Sequence, residues 1–139
     1  MKHELPVAYQ TASRGVRAGL RGALFAAAWL PVLCAAHLSP TAQREIDGLL
    51  HAIGSSGCQF LRGGTAHTAA EAQQHLHKKY SHLAARNMLV SAEDFIVKAA
   101  TGSSMSGEPY AIQCGQSAAV RSDEWLRARL HLIRHPPPR

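Results

Sequence analysis

The chain has 139 residues and a net charge of +6, with 46% apolar and 17% charged residues. That length holds one domain, and the ordinary apolar content excludes both a wholly disordered chain and a multispan membrane protein. The charge does not point to nucleic acid: Lys2, Arg14, Arg17 and Arg21 against Glu4 put half of it in the first 36 residues. The rest is scattered, whereas phosphate-backbone binding needs cations gathered in a stripe.

Arg14, Arg17 and Arg21 precede the apolar run Gly22–Cys34, which ends in the small residues Cys34-Ala35-Ala36. A positive stretch, an apolar stretch and a small-residue exit form a secretory leader, with cleavage expected between Ala36 and His37. The expected address is periplasmic or secreted, with membrane contact only in transit. An uncleaved membrane anchor is the alternative, but the run falls short of the roughly 18 apolar residues a span requires. Leu33 before Cys34 argues against lipidation, and the missing Arg pair argues against the twin-arginine route.

The remaining residues, 37–139, are expected to form a single α+β domain. Ser39 is a good N-cap and Pro40 a good first helical residue for a helix over Thr41–Ile53, stopped by Gly54. Ile46, Leu49, Leu50 and Ile53 fall on one helical face. Cys58–Arg62 reads as a short strand closed by Gly63-Gly64. Thr68 with Glu71 forms a capping box for a second helix, Ala69–Arg86, with Ala72, Leu76, Tyr80 and Leu83 as its buried stripe. Ser91 caps a third helix carrying Phe95, Ile96 and Ala99.

Thr101–Glu108, rich in Gly and Ser, must be a loop. Pro109–Cys114 is a second strand candidate, and Ser122 is expected to cap a last helix with Trp125, Leu126, Leu130 and Ile133. Residues 135–139 form a frayed, disordered tail. The expected order is α-β-α-α-β-α, with a two-stranded antiparallel ribbon packed against helices, since a lone ribbon is marginal.

Cys34 leaves with the leader, and an even pair in an oxidising compartment usually bridges. Cys58 begins one strand and Cys114 ends the other, so a bridge makes the strands antiparallel. The register then sets Phe60 opposite Ile112 and Arg62 opposite Tyr110, and the first pair suits a core-facing side. Closing that loop stabilises by roughly 4 kcal/mol on the chain-entropy argument. No Cys-x-x-Cys spacing suggests redox chemistry.

Four stretches carry a family likeness: Arg62-Gly63, Glu71-Ala72 through His75-Leu76-x-x-Lys79, Ser91-Ala-Glu-Asp-Phe-Ile96, and Ser103-Ser-Met-Ser-Gly-Glu-Pro-Tyr110. On these the chain resembles the YfeK-like family of small exported bacterial proteins, a domain of unknown function. The resemblance spans most of residues 40–133. It implies export and a shared fold, and it implies no reaction.

One constellation stands out for chemistry. Glu71, His75 and Lys79, spaced i, i+4, i+8, lie along one helix flank. Ser103, Ser104 and Ser106 add hydroxyls and flexible backbone N–H groups beside Tyr110, a donor set suited to an anion or a peptide backbone. The expected role is a non-enzymatic binding or envelope-associated domain. It would use the Ser103–Tyr110 loop and the Glu71–Lys79 flank to hold a protein, peptide or envelope component, with no cofactor. The structural alternative is that Glu71 and His75 only support the helix while the serines cap turns.

The enzymatic alternative is a small hydrolase with His75 as base, Ser104 or Ser106 as nucleophile and Glu71 as orienter. No Gly-x-Ser-x-Gly or Ser-x-x-Lys motif accompanies it. All nine histidines but His3 follow the leader. Only His131 and His135 share a chelating spacing, and no third ligand completes a metal site.

Overall fold

The computed structural model describes residues 37–138. The expected leader and its cleavage point after Ala36 lie outside the described residues. The α+β class holds: among the described residues four α-helices accompany one antiparallel sheet.

Helix α1 (Pro40–Gly54) starts where the Ser39 hydroxyl accepts from the Ala42 N–H at 3.1 Å. It buries Ala42, Ile46, Leu49, Leu50 and Ile53, the i, i+3, i+4 face of an amphipathic helix. At its end Gly54 lies against the side-chain amide of Gln73 on the helix that follows in the chain.

Strand β1 (Gln59–Arg62) turns directly into β2 (Thr65–His67). Arg62 pairs with Thr65, so the turn is only Gly63-Gly64, with φ of 56° and 73°. Two successive positive φ values define the primed hairpin turn that glycine makes without strain. Helix α2 (Ala69–Ala84) follows with its capping box formed. It ends two residues before the expected Arg86, where Asn87 takes the left-handed conformation at φ 54° and the Met88 N–H returns to the Leu83 carbonyl.

The third helical segment begins as α3 (Ala92–Phe95) and widens into a π-helical turn over Ile96–Ala100. The Thr101 hydroxyl donates to the Ile96 carbonyl at 2.9 Å at the end of that wider turn. Strands β3 (Ala111–Gln113) and β4 (Val120–Arg121) then lead into α4 (Ser122–Arg134). Ser122 is not the cap expected of it: Arg121 holds that position with no side-chain cap bond, while Ser122 is buried as the first helical residue and its N–H donates to the Tyr110 carbonyl.

The sheet runs β2-β1-β3-β4, antiparallel throughout. The expected two-strand ribbon is its central pair, in the expected register: Phe60 faces Ile112. The Cys58–Cys114 disulfide lies one residue beyond the ladder, with Cα atoms 4.3 Å apart. That spacing suits a non-hydrogen-bonded cross-strand pair. The expectation of two strands is corrected by the two edges. β2 and β4 are three and two residues long and mostly exposed, so they carry no alternating apolar pattern.

One core joins the helices to the sheet, with Ile46, Leu49, Ile53, Phe95, Ile96 and Leu126 fully enclosed. Trp125 packs edge-on against Phe60, ring centroids 6.5 Å apart, and Arg129 covers its outer face. Among the described residues no helix is long and apolar enough to cross a membrane.

Candidate functional site

Period-two alternation puts Cys58, Phe60 and Arg62 on one face of β1. The ladder register brings Tyr110 beside Arg62 at the end remote from the disulfide. Helix α2 crosses this end, and residues 75 and 79, four apart, present side chains one above the other on its flank.

The result is a contact chain of three elements. The Tyr110 residue is only 8% exposed, and its hydroxyl meets His75 Nε2 at 3.2 Å. Arg62 Nη1 lies 3.0 Å from His75 Nδ1 and 3.3 Å from Nε2. Reaching both nitrogens at once means the guanidinium rests against the ring rather than along a single lone pair. The Lys79 ammonium donates to the Gly102 carbonyl at 2.9 Å and sits over the Tyr110 ring, 5.2 Å from its centroid.

The electrostatics follow from this crowding of cations. Burial first, then Arg62 and Lys79, push the His75 imidazole below its ordinary value, so its neutral form is favoured. Burial and Arg62 likewise lower the Lys79 ammonium. Burial raises the Tyr110 phenol, keeping it protonated. Among the described residues Arg62 makes no ion pair with a carboxylate. Glu108 is the nearest acid on the loop, its carboxylate 3.7 Å from where a Gly63 Cβ would stand.

The Thr101–Glu108 loop is a tight hairpin. A bridge joins Gly102 and Pro109, the Ser103 N–H donates to the Glu108 carbonyl, and the Gly107 N–H to the Ser103 carbonyl, each at 2.9 Å. A Cβ on Gly102 would lie 2.6 Å from the Glu108 carbonyl oxygen, so that closure requires glycine. Ser103 Oγ accepts from the Met105 and Ser106 N–H groups, and Ser106 Oγ accepts from the Glu108 N–H. Met105, 99% exposed, forms the tip.

Between loop and helix lies a cleft of about 490 Å³. Six of the seven expected surface residues line it: His75, Lys79, Ser103, Ser104, Ser106 and Tyr110. Glu71 does not. Its carboxylate accepts from the Thr68 N–H and hydroxyl at 2.8 and 2.9 Å, bonds that hold it below its ordinary value and close the helix cap. It borders a second, smaller cleft of about 190 Å³ on the sheet side, whose wall includes Phe60, Ala72 and Leu76. Arg62, His75 and Tyr110 border both clefts.

Arg62 was absent from the sequence-derived surface. The register that set it opposite Tyr110 held the signal, since a residue facing a candidate across a ladder is itself a candidate.

This geometry offers no serine nucleophile to His75: its ring nitrogens face Arg62 and Tyr110, and no loop hydroxyl hydrogen-bonds to it. Glu71, spent in the cap, does not orient the imidazole. Among the described residues no three His, Cys, Asp or Glu side chains converge to hold a metal, and the His131 and His135 rings, 4.8 Å apart, gain no third ligand.

A family profile described as a family of unknown function (DUF5329) matches residues 40–134. The uncharacterized protein YfeK of Salmonella typhimurium is 36% identical over 76 residues. That match covers 54% of this chain and 62% of the relative, so the chain spans under two thirds of the relative's length. No solved structure matches.

Proposed function

The chain belongs to the DUF5329 family of unknown function, and from its own cleft we propose an exported, non-enzymatic binding domain. It holds an acidic group of a peptide or envelope component between the Ser103–Tyr110 loop and the α2 flank. The observation that carries this reading is Arg62, half-buried and without a carboxylate partner among the described residues, at a cleft it shares with Lys79 and the loop serines. A guanidinium without a carboxylate partner is a ready partner for a carboxylate, phosphate or sulfate. The Cys58–Cys114 bridge supports the oxidising compartment to which the leader would deliver the chain.

The test is an NMR titration of the disulfide-bonded protein with short acidic peptides, sugar acids and phosphate esters, each beside its uncharged counterpart. Amide shifts confined to Arg62, His75, Lys79 and Tyr110 with the acidic probes, and lost in Arg62→Ala, are the expected result. Equal shifts with uncharged counterparts, or none with any acidic probe, overturn the reading. Amino-terminal sequencing of protein recovered from the envelope checks the export step, with His37 as the expected first residue.

A further inference from the structure

Resting on the acidic-group reading above, we propose that the cleft is a proton-coupled site for a tetrahedral oxyanion, a phosphate or sulfate group, that binds Arg62 and Lys79 while His75 takes up a proton. Donors reach the cleft from three directions. Arg62 comes from β1, Lys79 and His75 from α2, and the serine hydroxyls from the loop. A flat carboxylate satisfies one fork of donors, whereas a tetrahedral dianion accepts from several sides and balances more than one cation. Ser104 lines the cleft and makes no side-chain hydrogen bond among the described residues, which leaves its hydroxyl for the anion. The volume of about 490 Å³ exceeds a lone oxyanion, leaving room for the group that carries it.

The coupling follows from the surroundings of His75. Arg62 presses on the ring from β1, His67 stands on β2, and Lys78 and Lys79 flank it on its own helix. Tyr110 offers a hydroxyl from the start of β3. Of the acids nearby, Glu71 is engaged by Thr68, and Glu108 stands beside Gly63 at the cleft edge but makes no ion pair with Arg62 or Lys79 among the described residues. With no anion present, burial and then Arg62, Lys79, His67 and Lys78 hold the imidazole below its ordinary value and favour its neutral form. An anion held by Arg62 and Lys79 reverses that field and draws the guanidinium off the ring. A proton on His75 then adds a third cation to the same anion. By linkage, the proton taken up on binding makes affinity rise as pH falls.

In the unliganded protein the sign runs the other way. A histidine held below its ordinary value is neutral in the fold and protonates more readily in the unfolded chain. Its contribution to stability is therefore full above about pH 6.5 and declines as pH falls through that value.

The experiment is a sulfate titration of the disulfide-bonded protein at pH 8.0 and pH 6.0, with chloride holding ionic strength constant. Sulfate keeps its charge across this range, so any pH effect belongs to the protein. Affinity should rise about fivefold at the lower pH, within the tenfold per unit that one coupled proton permits. His75→Gln should bind with the weaker affinity at both pH values, and Arg62→Ala should not bind. Acetate at equal ionic strength should compete poorly. Affinity independent of pH in the wild type overturns the coupling, and acetate matching sulfate overturns the oxyanion class. Absence of saturable sulfate binding overturns the whole inference. If acidic peptides still shift the cleft amides, the broader reading survives that failure; if neither binds, both fall.

Discussion

Two arginines at separate places in the fold have opposite surroundings. Arg134, in the last turn of α4, donates from Nε and Nη2 to both oxygens of Glu45 at 2.8 and 2.9 Å, and from Nη1 to Glu93 at 2.6 Å. It ties α4 to α1 and α3, and its hydrogen bonds hold both carboxylates below their ordinary values. Among the described residues Arg62 meets an imidazole and pairs with no acid. Other described acids are engaged too: Asp94 with Lys98, Asp123 with Arg121, Glu71 with its helix cap. Where the chain neutralises its own charge, the charge is architecture. At the cleft no described acid neutralises Arg62 or Lys79, and the field there is available to a ligand.

The largest way to break this contrast is to loosen the ladder beneath it. Replacing both cysteines, Cys58→Ala with Cys114→Ala, opens a loop of 56 residues and should lower stability by about 4 kcal/mol in urea unfolding. The bridge fastens the end of the β1–β3 pair away from Arg62. Sulfate affinity of the folded fraction should therefore persist; a loss below about 1 kcal/mol would contradict the entropic account. A more local break is Gly102→Ala, whose methyl meets the Glu108 carbonyl oxygen at 2.6 Å and the Pro109 Cα at 3.3 Å. Relieving that overlap means opening the loop hairpin, at about 1–3 kcal/mol. Hydrogen exchange should show the Ser103 and Tyr110 amides losing protection while the α4 amides keep theirs. Protection lost equally in both places would show that the loop and the Arg134 end are a single cooperative unit.

Much of this was legible beforehand because the signals were local or doubly determined. Ser39, Thr68 and Ser91 announced three helix starts by cap chemistry alone, and each side chain accepts the bond it promised. The central register was set by two agreeing constraints, a bridge and an apolar pair. What escaped was short, exposed or paired at a distance. Thr65-Ala66-His67 has no apolar rhythm because an edge strand has no core to face, although Gly63-Gly64 between two extended runs is itself a hairpin signal. Glu71 matched the flank by spacing, but the same residue was already owed to its capping box, and one carboxylate served the nearer donors. Spacing along a helix shows which side chains share a flank; it does not show which are already satisfied.

The sharpest test of the contrast is the smallest in energy. Arg134→Ala leaves Glu45, whose side chain is 14% exposed, without its bidentate partner. Arg134 itself is 39% exposed, so solvent screens the pair and the loss should be about 1 kcal/mol. Arg62→Ala should stay within about 0.5 kcal/mol of the wild type, because it removes repulsion from His75 and Lys79 as well as contact. The two should also part with pH. Glu45 and Glu93 have lowered folded values, so their contribution is present above about pH 4.5 and disappears as pH falls through those values. The Arg134→Ala deficit should accordingly be full at pH 7 and shrink in acid. Urea midpoints of both variants at pH 7 and pH 3.5 read this directly. Equal deficits at pH 7 would mean that Arg62 holds the fold together as Arg134 does, and the cleft would lose its claim to an unspent charge.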